Sequence, residues 1–331
     1  MTQANLMPFE RIKRDVFVRK ESKSSSSYGC EPDNRSTEEL IKYGIINVDK
    51  PKGPTSHQVS AYTQKILNIG KSGHSGTLDP KVTGCLPVAT GHATRIVQAL
   101  LNAGKEYVCV MHLHNEVKET KIRDAMNQFV GKIKQLPPIK SAVKRQWRFR
   151  TIYYIEILDI VDQDVLFKIG CQAGTYIRKI CHDVGVEIGV GAHMAELRRS
   201  KAGPFNESTA VSLMDLQDAY CFYKEEGKDK WLRKIIQPVE NGVAHLAKIW
   251  VVDSTVDALA HGADLAVPGI SKVESDIQLE DTVAIMSLKG ELVALGSARM
   301  ISKDMIKKPK GIAVKTNKVF MIPGTYPKME R

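Results

Sequence analysis

The sequence predicts an α+β protein made of a larger unit with a mixed or antiparallel sheet and a small C-terminal unit resembling a β-barrel. Between residues 38 and 246, strand-like and helical segments alternate irregularly, which is typical of α+β domains. From residue 247, short β-rich segments follow one another, separated by Gly, Pro and Lys, as in small barrels and sandwiches. A hydrophobic fraction of 43% over 331 residues is enough to fill two cores.

The first folded elements follow a polar segment. Residues 1–37 contain a run of four serines and little apolar periodicity, so we expect a tail, or an arm that orders against something else. Residues 43–49 read as a buried strand and 50–55 as a turn rich in Pro and Gly. Ser56 is expected to cap a helix through Ile66.

The remaining elements of the larger unit are predicted in order along the chain. Residues 70–91 hold five glycines and two prolines and are expected to form a loop. The elements expected after it are a helix over 94–102, a strand over 105–114, a helix over 120–130, a hairpin of 153–160 with 165–172, a helix over 174–188, an extended segment over 193–200, and helices over 212–220 and 239–247, the last begun by Pro238.

Four regions are therefore expected. They are a polar arm (1–37), the larger α+β domain (38–246), the small β domain (247–322) and a short tail (323–331).

The charge of +11 indicates a polyanionic partner, because Lys and Arg gain affinity by displacing the counterions of phosphates; a merely soluble basic protein is the alternative. None of the six cysteines shows Cys-x-x-Cys spacing, so we expect reduced thiols in a cytoplasmic protein. His112 and His114 share a strand face, but with no third ligand nearby in sequence no metal site is expected. Neither a signal peptide nor a membrane span is expected.

Asp79 is the leading candidate for chemistry. It lies in the glycine-rich stretch 73–84, and Pro80 stiffens the chain directly after it. A carboxylate held on such a loop beside His74 suits nucleophilic or acid–base chemistry. An Asp that closes a turn is the ordinary alternative.

Two further stretches carry candidate side chains. In 174–179, Tyr176 and Arg178 lie near an expected helix start, where the arginine could pair with a carboxylate or be an ordinary surface residue. Tyr107, on the strand over 105–114, could stack on a base or fill the core.

Nucleic-acid contact is expected in two basic segments. The run 140–150 interleaves Trp147 and Phe149 with cations and contains no acid, and aromatics can stack on bases while cations pair with phosphates. A second, lysine-rich run lies in the β domain. The cations concerned are Lys140, Lys144, Arg145, Arg148, Arg150, Lys307, Lys308 and Lys310.

Five ordered motifs resemble those of the TruB family of pseudouridine synthases. They span residues 49–57, 73–84, 105–107, 173–180 and 196–199. The phrases at 28–32, 111–114 and 191–199 are similar to the archaeal, dyskerin-like branch, the catalytic subunit of box H/ACA ribonucleoproteins. Segments 262–269, 291–296 and 311–314 resemble a PUA domain, a compact RNA-binding barrel.

The resemblance implies an RNA pseudouridine synthase with Asp79 as its catalytic aspartate. Arg178 would form a buried ion pair with Asp79 at the floor of the cleft and keep it ionised, and Tyr107 would stack on the target base. Tyr176, Leu197, His74, His57 and Lys52 would complete the pocket. No cofactor or metal is expected, and the target base must leave its stack to react.

The resemblance also implies partners: guide RNA, rRNA or tRNA, and small protein subunits of the Nop and Gar types, but not DNA or a membrane. Guided rRNA and uridine-55 in the T-loop of tRNA remain alternative substrates. A rival reading is an RNA-binding scaffold that has lost activity. A methyltransferase is disfavoured because no glycine-rich cofactor loop follows a strand.

Overall fold

The computed structural model describes residues 5–137 and 144–328. Its helices are α1 (Pro8–Arg11), α2 (Thr37–Lys42), α3 (Ser56–Ile66), α4 (Val97–Asn102), α5 (Glu119–Asn127), α6 (Ile177–Ile188), α7 (Leu213–Glu226), α8 (Lys230–Ile235), α9 (Asp253–Ala260) and α10 (Ser302–Lys307).

The strands are β1 (Val16–Val18), β2 (Gly44–Lys50), β3 (Ser72–His74), β4 (Thr83–Thr90), β5 (Lys105–Leu113), β6 (Gly131–Gln135), β7 (Arg148–Val161), β8 (Asp164–Cys171), β9 (Ala192–Ala202), β10 (Phe205–Asn206), β11 (Gln237–Pro238), β12 (Ala247–Val251), β13 (Leu265–Ala266), β14 (Ile270–Glu274), β15 (Thr282–Met286), β16 (Leu292–Ala298) and β17 (Ile312–Val319).

The larger unit is built on one mixed sheet, which confirms the predicted α+β class. Its strands run in the order β11-β2-β4-β9-β5-β8-β7-β6, with β3 on β4 and β10 on β9. The β4–β9 pair is parallel and the other pairs are antiparallel. One core lies where α5 and α6 pack against β5, β7 and β8. A second lies where α3 and α7 pack against β2 and β4.

The C-terminal unit is a second mixed sheet with the strand order β1-β14-β12-β15-β16-β17-β13, in which β12 and β15 are parallel. Side chains from both units share a core: Ile45 and Ile96 of the larger unit lie in one buried cluster with Met286 and Leu292. The site described below therefore rests on a scaffold in which the two units are packed together.

The N-terminal arm orders against the C-terminal sheet, one of the two outcomes expected for it. Strand β1 pairs antiparallel with β14, with Phe17 opposite Val273. The Arg19 guanidinium donates to the carbonyls of Met305 and Ile306 at 3.2 and 2.7 Å. The arm thus supplies an edge strand of the C-terminal sheet.

Four of the expectations about secondary structure were wrong. The expected loop 70–91 contains β3 and β4, because pairing of β4 with β2 overrides its turn-forming Gly and Pro residues. The expected helix 239–247 is a 3₁₀ turn over Val239–Val243, after which β12 begins. α6 begins at Ile177, not at Gly174. Thr55, not Ser56, caps α3, accepting the backbone N–H of Gln58 at 3.2 Å.

Within residues 5–137 and 144–328, each helix is too short or too polar to cross a lipid bilayer.

Candidate active site

Asp79 lies on the loop between β3 and β4, with its side chain about half exposed (54%). Its carboxylate pairs with the guanidinium of Arg178, in the first turn of α6, whose side chain is 52% exposed. The ion pair expected from the sequence is therefore present. The expectation that it is buried was wrong, so screening by water leaves it a modest contribution to stability.

A buried lysine holds the loop from below. Lys50, at the end of β2, is 0% exposed, and its ammonium donates to the carbonyls of Pro51, Pro80 and Val82 at 2.9, 3.3 and 2.8 Å. Burial lowers the pKa of Lys50, the nearby Arg199 lowers it further, and Asp79 opposes this shift. Sequence reasoning assigned Lys50 no role, although it lies in the quoted motif 49–57.

Arg199 is a second residue that sequence reasoning missed. It lies on β9 with 1% exposure, and its guanidinium donates to the carbonyls of Cys85 at 2.7 Å and Gly76 at 3.4 Å. A Cβ on Gly84 would lie 2.3 Å from the Arg199 carbonyl oxygen, so β4 and β9 meet closely only because residue 84 is glycine. Arg199 therefore ties the Asp79 loop to the centre of the sheet.

Tyr107, on β5 opposite Arg199, is half-buried. Burial raises the pKa of its hydroxyl, and the positive charge of Arg199 works against that rise. The hydroxyl therefore stays protonated at neutral pH. The negative charge of Asp79 adds a smaller rise to this pKa.

The other expected pocket residues lie on different sides of the loop. Burial lowers the pKa of His74, which keeps its ring neutral at pH 7; the ring meets His57 edge-on, with centroids 4.7 Å apart. Both line a cavity of about 430 Å³ between α3 and β3. Leu197 packs in the same apolar cluster as Tyr107, and Lys52 is exposed on the turn before α3.

Tyr176 directly precedes α6 and is held by a third missed residue. The side-chain amide of Gln135, on β6 and 3% exposed, accepts the backbone N–H of Tyr176 at 3.1 Å and donates to its carbonyl at 3.2 Å. The signal available in the sequence is that Gln135 lies two residues after Ile133, which stands between two lysines, and so on the same face of the strand as Ile133. These two bonds fix the chain two residues before Arg178.

The described part of the basic run, residues 144–150, carries two exposed aromatic side chains beside β6. Trp147 and Phe149 are 60% and 57% exposed, with the ammonium groups of Lys134 and Lys132 at 4.9 and 4.6 Å from their ring centroids. A Cβ on Gly174 would lie 3.2 Å from the Arg150 guanidinium, so this surface adjoins the 173–180 motif.

The remaining expected RNA-binding cations differ in setting. Lys144, Arg145, Lys307 and Lys310 are exposed, whereas Arg148 is half-buried. Lys308 pairs with Asp304 at 2.9 Å, so part of its charge is neutralised. Lys140 lies outside the described residues.

His112, in β5, and His114, just after it, gain a neighbour that sequence spacing concealed. Nε2 of His114 lies 3.0 Å from Nδ1 of His193 on β9, and Nδ1 of His112 lies 2.7 Å from Asp164. Over the described ranges, however, no group of three or more His, Cys, Asp or Glu side chains is arranged to hold a metal ion.

Family models match nearly the whole chain. They are TruB family pseudouridylate synthase (N terminal domain) over residues 64–177, tRNA pseudouridylate synthase B C-terminal domain over 178–244, PUA domain over 247–320, and DKCLD (NUC011) domain over 7–60. Proteins described as "Probable tRNA pseudouridine synthase B" are 54% identical in Methanopyrus kandleri, covering 97% of this chain and 95% of that protein, and 57% in Pyrococcus abyssi, covering 96% of each.

Two solved structures are similar over nearly their full length. One is described as a Cbf5-Nop10-Gar1 complex, with 55% identity, a TM-score of 0.94, and coverage of 98% of this chain and 99% of that one. The other is described as an H/ACA RNP bound to a substrate RNA containing 2′-deoxyuridine, with 52% identity, a TM-score of 0.91 and complete coverage of both chains.

Proposed function

We propose, from the premise that this chain belongs to the TruB family of pseudouridylate synthases, that Asp79 is its catalytic carboxylate. The observation that carries the proposal is a half-exposed carboxylate on a loop whose backbone is held by buried cations, with Arg178 beside it. A carboxylate needed only for folding would be expected to lie among backbone donors; this one faces solvent.

The reaction is an isomerisation of uridine within RNA. The C1′–N1 bond breaks, the uracil turns, C1′ bonds to C5, and the proton on C5 is lost while N1 gains one. Because the reaction conserves the atoms and electrons of the uridine, it needs neither an oxidant nor a group donor. Asp79 would act at the nucleotide, Arg178 would keep it ionised, and Tyr107 would stack on the base beside C5.

The pocket residues would receive a base that has left its stack. His74 and His57, which line the cavity between α3 and β3, would contact this base. Tyr176, Leu197 and Lys52 would complete the pocket; Leu197 packs in one apolar cluster with Tyr107, and Lys52 is exposed. Extrusion of a base costs a few kcal/mol. The Trp147 and Phe149 rings, with the cations around them, would hold the neighbouring RNA.

We further propose that the chain works within a ribonucleoprotein containing a guide RNA and small proteins of the Nop and Gar types, modifying rRNA. The support is similarity to structures described as containing Nop10, Gar1 and H/ACA RNP components. Uridine-55 of tRNA is the second candidate substrate, favoured by the description shared by the sequence relatives. A cytoplasmic location agrees with six unpaired cysteine thiols.

The four regions expected from the sequence belong to this proposal. The β domain from residue 247 would bind RNA without taking part in chemistry, and the arm would complete its sheet.

A single-turnover assay tests the proposal. A tRNA transcript and a guide-matched RNA are each incubated with the chain alone and with guide RNA and partner proteins, and pseudouridine is counted. We expect the guided RNA to be modified faster and at the guided site only in the reconstituted complex. Equal rate and site choice for the isolated chain would contradict the ribonucleoprotein proposal.

A further inference from the structure

Helix α3 begins with a serine that does not cap it. Thr55 is the capping residue, while Ser56, next along the chain, is 0% exposed. The Ser56 hydroxyl accepts the backbone N–H of Leu78 at 2.8 Å and donates to the Leu78 carbonyl at 3.2 Å. One side-chain oxygen thus binds both backbone polar groups of the residue immediately before Asp79.

The residue after Asp79 is held by the same short segment. The Pro80 carbonyl accepts the backbone N–H of Gly53 at 2.8 Å and the ammonium of Lys50 at 3.3 Å. Backbone groups of both residues that flank Asp79, Leu78 and Pro80, are therefore bound by residues 50–56, although the Asp79 side chain is half exposed.

We propose that Ser56 is a positioning residue for pseudouridine formation, acting on Asp79 through Leu78; the inference rests on the catalytic role proposed for Asp79. Ser56 itself does not touch the RNA. Its hydroxyl fixes the direction in which the chain enters residue 79 and therefore where the carboxylate points. A displacement of about 1 Å in a reacting group can lower a rate by about 100-fold.

The alternative is that Ser56 only stabilises the fold, since buried backbone groups need partners in any loop. In that case, removing another buried hydroxyl from α3 should have the same effect. Thr63 provides the matched control: it is also 0% exposed, and its hydroxyl donates to the Val59 carbonyl at 3.0 Å within the helix. Thr63→Val removes that hydroxyl at nearly constant volume.

The experiment compares full-length Ser56→Ala, Ser56→Cys and Thr63→Val with the unmodified chain, using the two RNAs and the assemblies described above. The single-turnover rate at saturating protein, the Kd for RNA and the melting temperature are measured. Ser56→Ala should lower the rate by roughly 10- to 100-fold with Kd nearly unchanged. Ser56→Cys should fall in between, because a thiol is a weak donor and acceptor. Thr63→Val should keep its rate.

The inference is overturned if Ser56→Ala keeps its rate, if Thr63→Val loses as much, or if only Kd changes. Should Ser56→Ala melt below the assay temperature, Ser56→Cys decides: a reduced rate with unchanged Kd supports the inference, and a full rate overturns it. Asp79→Asn in the same assay separates the two proposals. An inactive Asp79→Asn beside a fully active Ser56→Ala removes only this inference, whereas an active Asp79→Asn removes the proposed function.

Discussion

At the scale of single residues, the site combines an open ion pair with buried cations beneath it. Asp79 and Arg178 are half exposed, whereas Lys50 and Arg199 are almost fully buried and donate to carbonyls of the loop. The exposed pair is accessible to a substrate, and the buried pair fixes the backbone that carries Asp79. The exposed ion pair and the buried cations can therefore be tested separately.

Arg178 should matter far more for turnover than for stability. An exposed ion pair contributes about 0–1 kcal/mol, so Arg178→Ala should unfold in urea at nearly the unmodified midpoint. Its rate should fall sharply, because the guanidinium no longer orients the carboxylate. Arg178→Lys keeps the charge but loses the planar fork and should recover only part of the rate. Equal losses of stability and rate in Arg178→Ala would contradict this assignment.

The burial of His245 leads to a prediction about how the free energy of unfolding changes with pH. His245 is 9% exposed, and burial lowers its pKa to about 4, with Lys105, Lys248 and Arg14 lowering it further. The unfolded chain then binds more protons than the folded one between about pH 6.5 and 4. Stability should therefore fall by up to roughly 3 kcal/mol as pH drops through that window.

The measurement is urea unfolding at a series of pH values for His245→Gln and the unmodified chain. The loss between pH 6.5 and 4 should be smaller in His245→Gln. His92→Gln, at an exposed position, is the control and should follow the unmodified chain. Superimposable curves for His245→Gln and the unmodified chain would show that His245 is not held neutral by the fold.

The residues that sequence reasoning found differ in kind from those it missed. Asp79, Tyr107 and Arg178 have side chains whose own chemistry suggests a role, and each lies in a motif that resembles those of the family. Lys50 and Arg199 lie in the two remaining motifs, 49–57 and 196–199. Their roles depend on carbonyls that the fold brings to them from residues 76–85, and no local sequence pattern reports those distances. Contacts of a side chain with backbone groups that are distant in sequence therefore cannot be predicted from the sequence alone.

At the scale of elements, the β6–β7 hairpin carries the exposed aromatic side chains that we propose to bind RNA. Base stacking on an aromatic ring contributes about 1–3 kcal/mol per base, so Trp147→Ala should weaken RNA binding by roughly that amount with little change in melting temperature. Trp147→Phe should retain most of the affinity. Trp231 is a matched control, because it is 51% exposed and also has lysines beside its ring. A similar affinity loss in Trp231→Ala would contradict a specific role for the hairpin.

The N-terminal arm should protect the edge of the C-terminal sheet. Arg19→Ala removes two hydrogen bonds to carbonyls at the end of α10 and should loosen β1 from β14. Amide hydrogen exchange in β14 should accelerate, while exchange in β5 stays unchanged. Lys23→Ala, at an exposed position, is the control. Unchanged exchange in β14 would show that the arm is held by other contacts.

Sequence patterns located elements best where local propensity and tertiary pairing agree. Strands β5 and β8 alternate regularly and were expected nearly where they lie. Strand β4 contains Gly84 and Pro87, which suggest a loop, yet it is almost wholly buried between β2 and β9. β4 approaches the backbone of Arg199 so closely at residue 84 that only glycine fits there. The same glycine made the segment resemble a loop in the sequence.

At the scale of the whole molecule, two basic surfaces would hold one RNA. Each phosphate contact on a single strand contributes a slope of about −0.7 to the dependence of log K on log salt. Lys307→Ala with Lys310→Ala should therefore flatten the slope by roughly 1.4. Lys308→Ala should change it less, because Asp304 already neutralises part of that charge. An unchanged slope in the double variant would remove the C-terminal unit from the RNA interface.

The most direct test of the central claim is turnover by Asp79→Asn in the full-length protein. The substitution keeps the size of the side chain and removes only its charge, and the site is half exposed, so melting temperature and RNA affinity should stay close to those of the unmodified chain. Pseudouridine formation should be abolished on both the tRNA transcript and the guided RNA. Turnover above a few per cent of the unmodified rate would contradict the account.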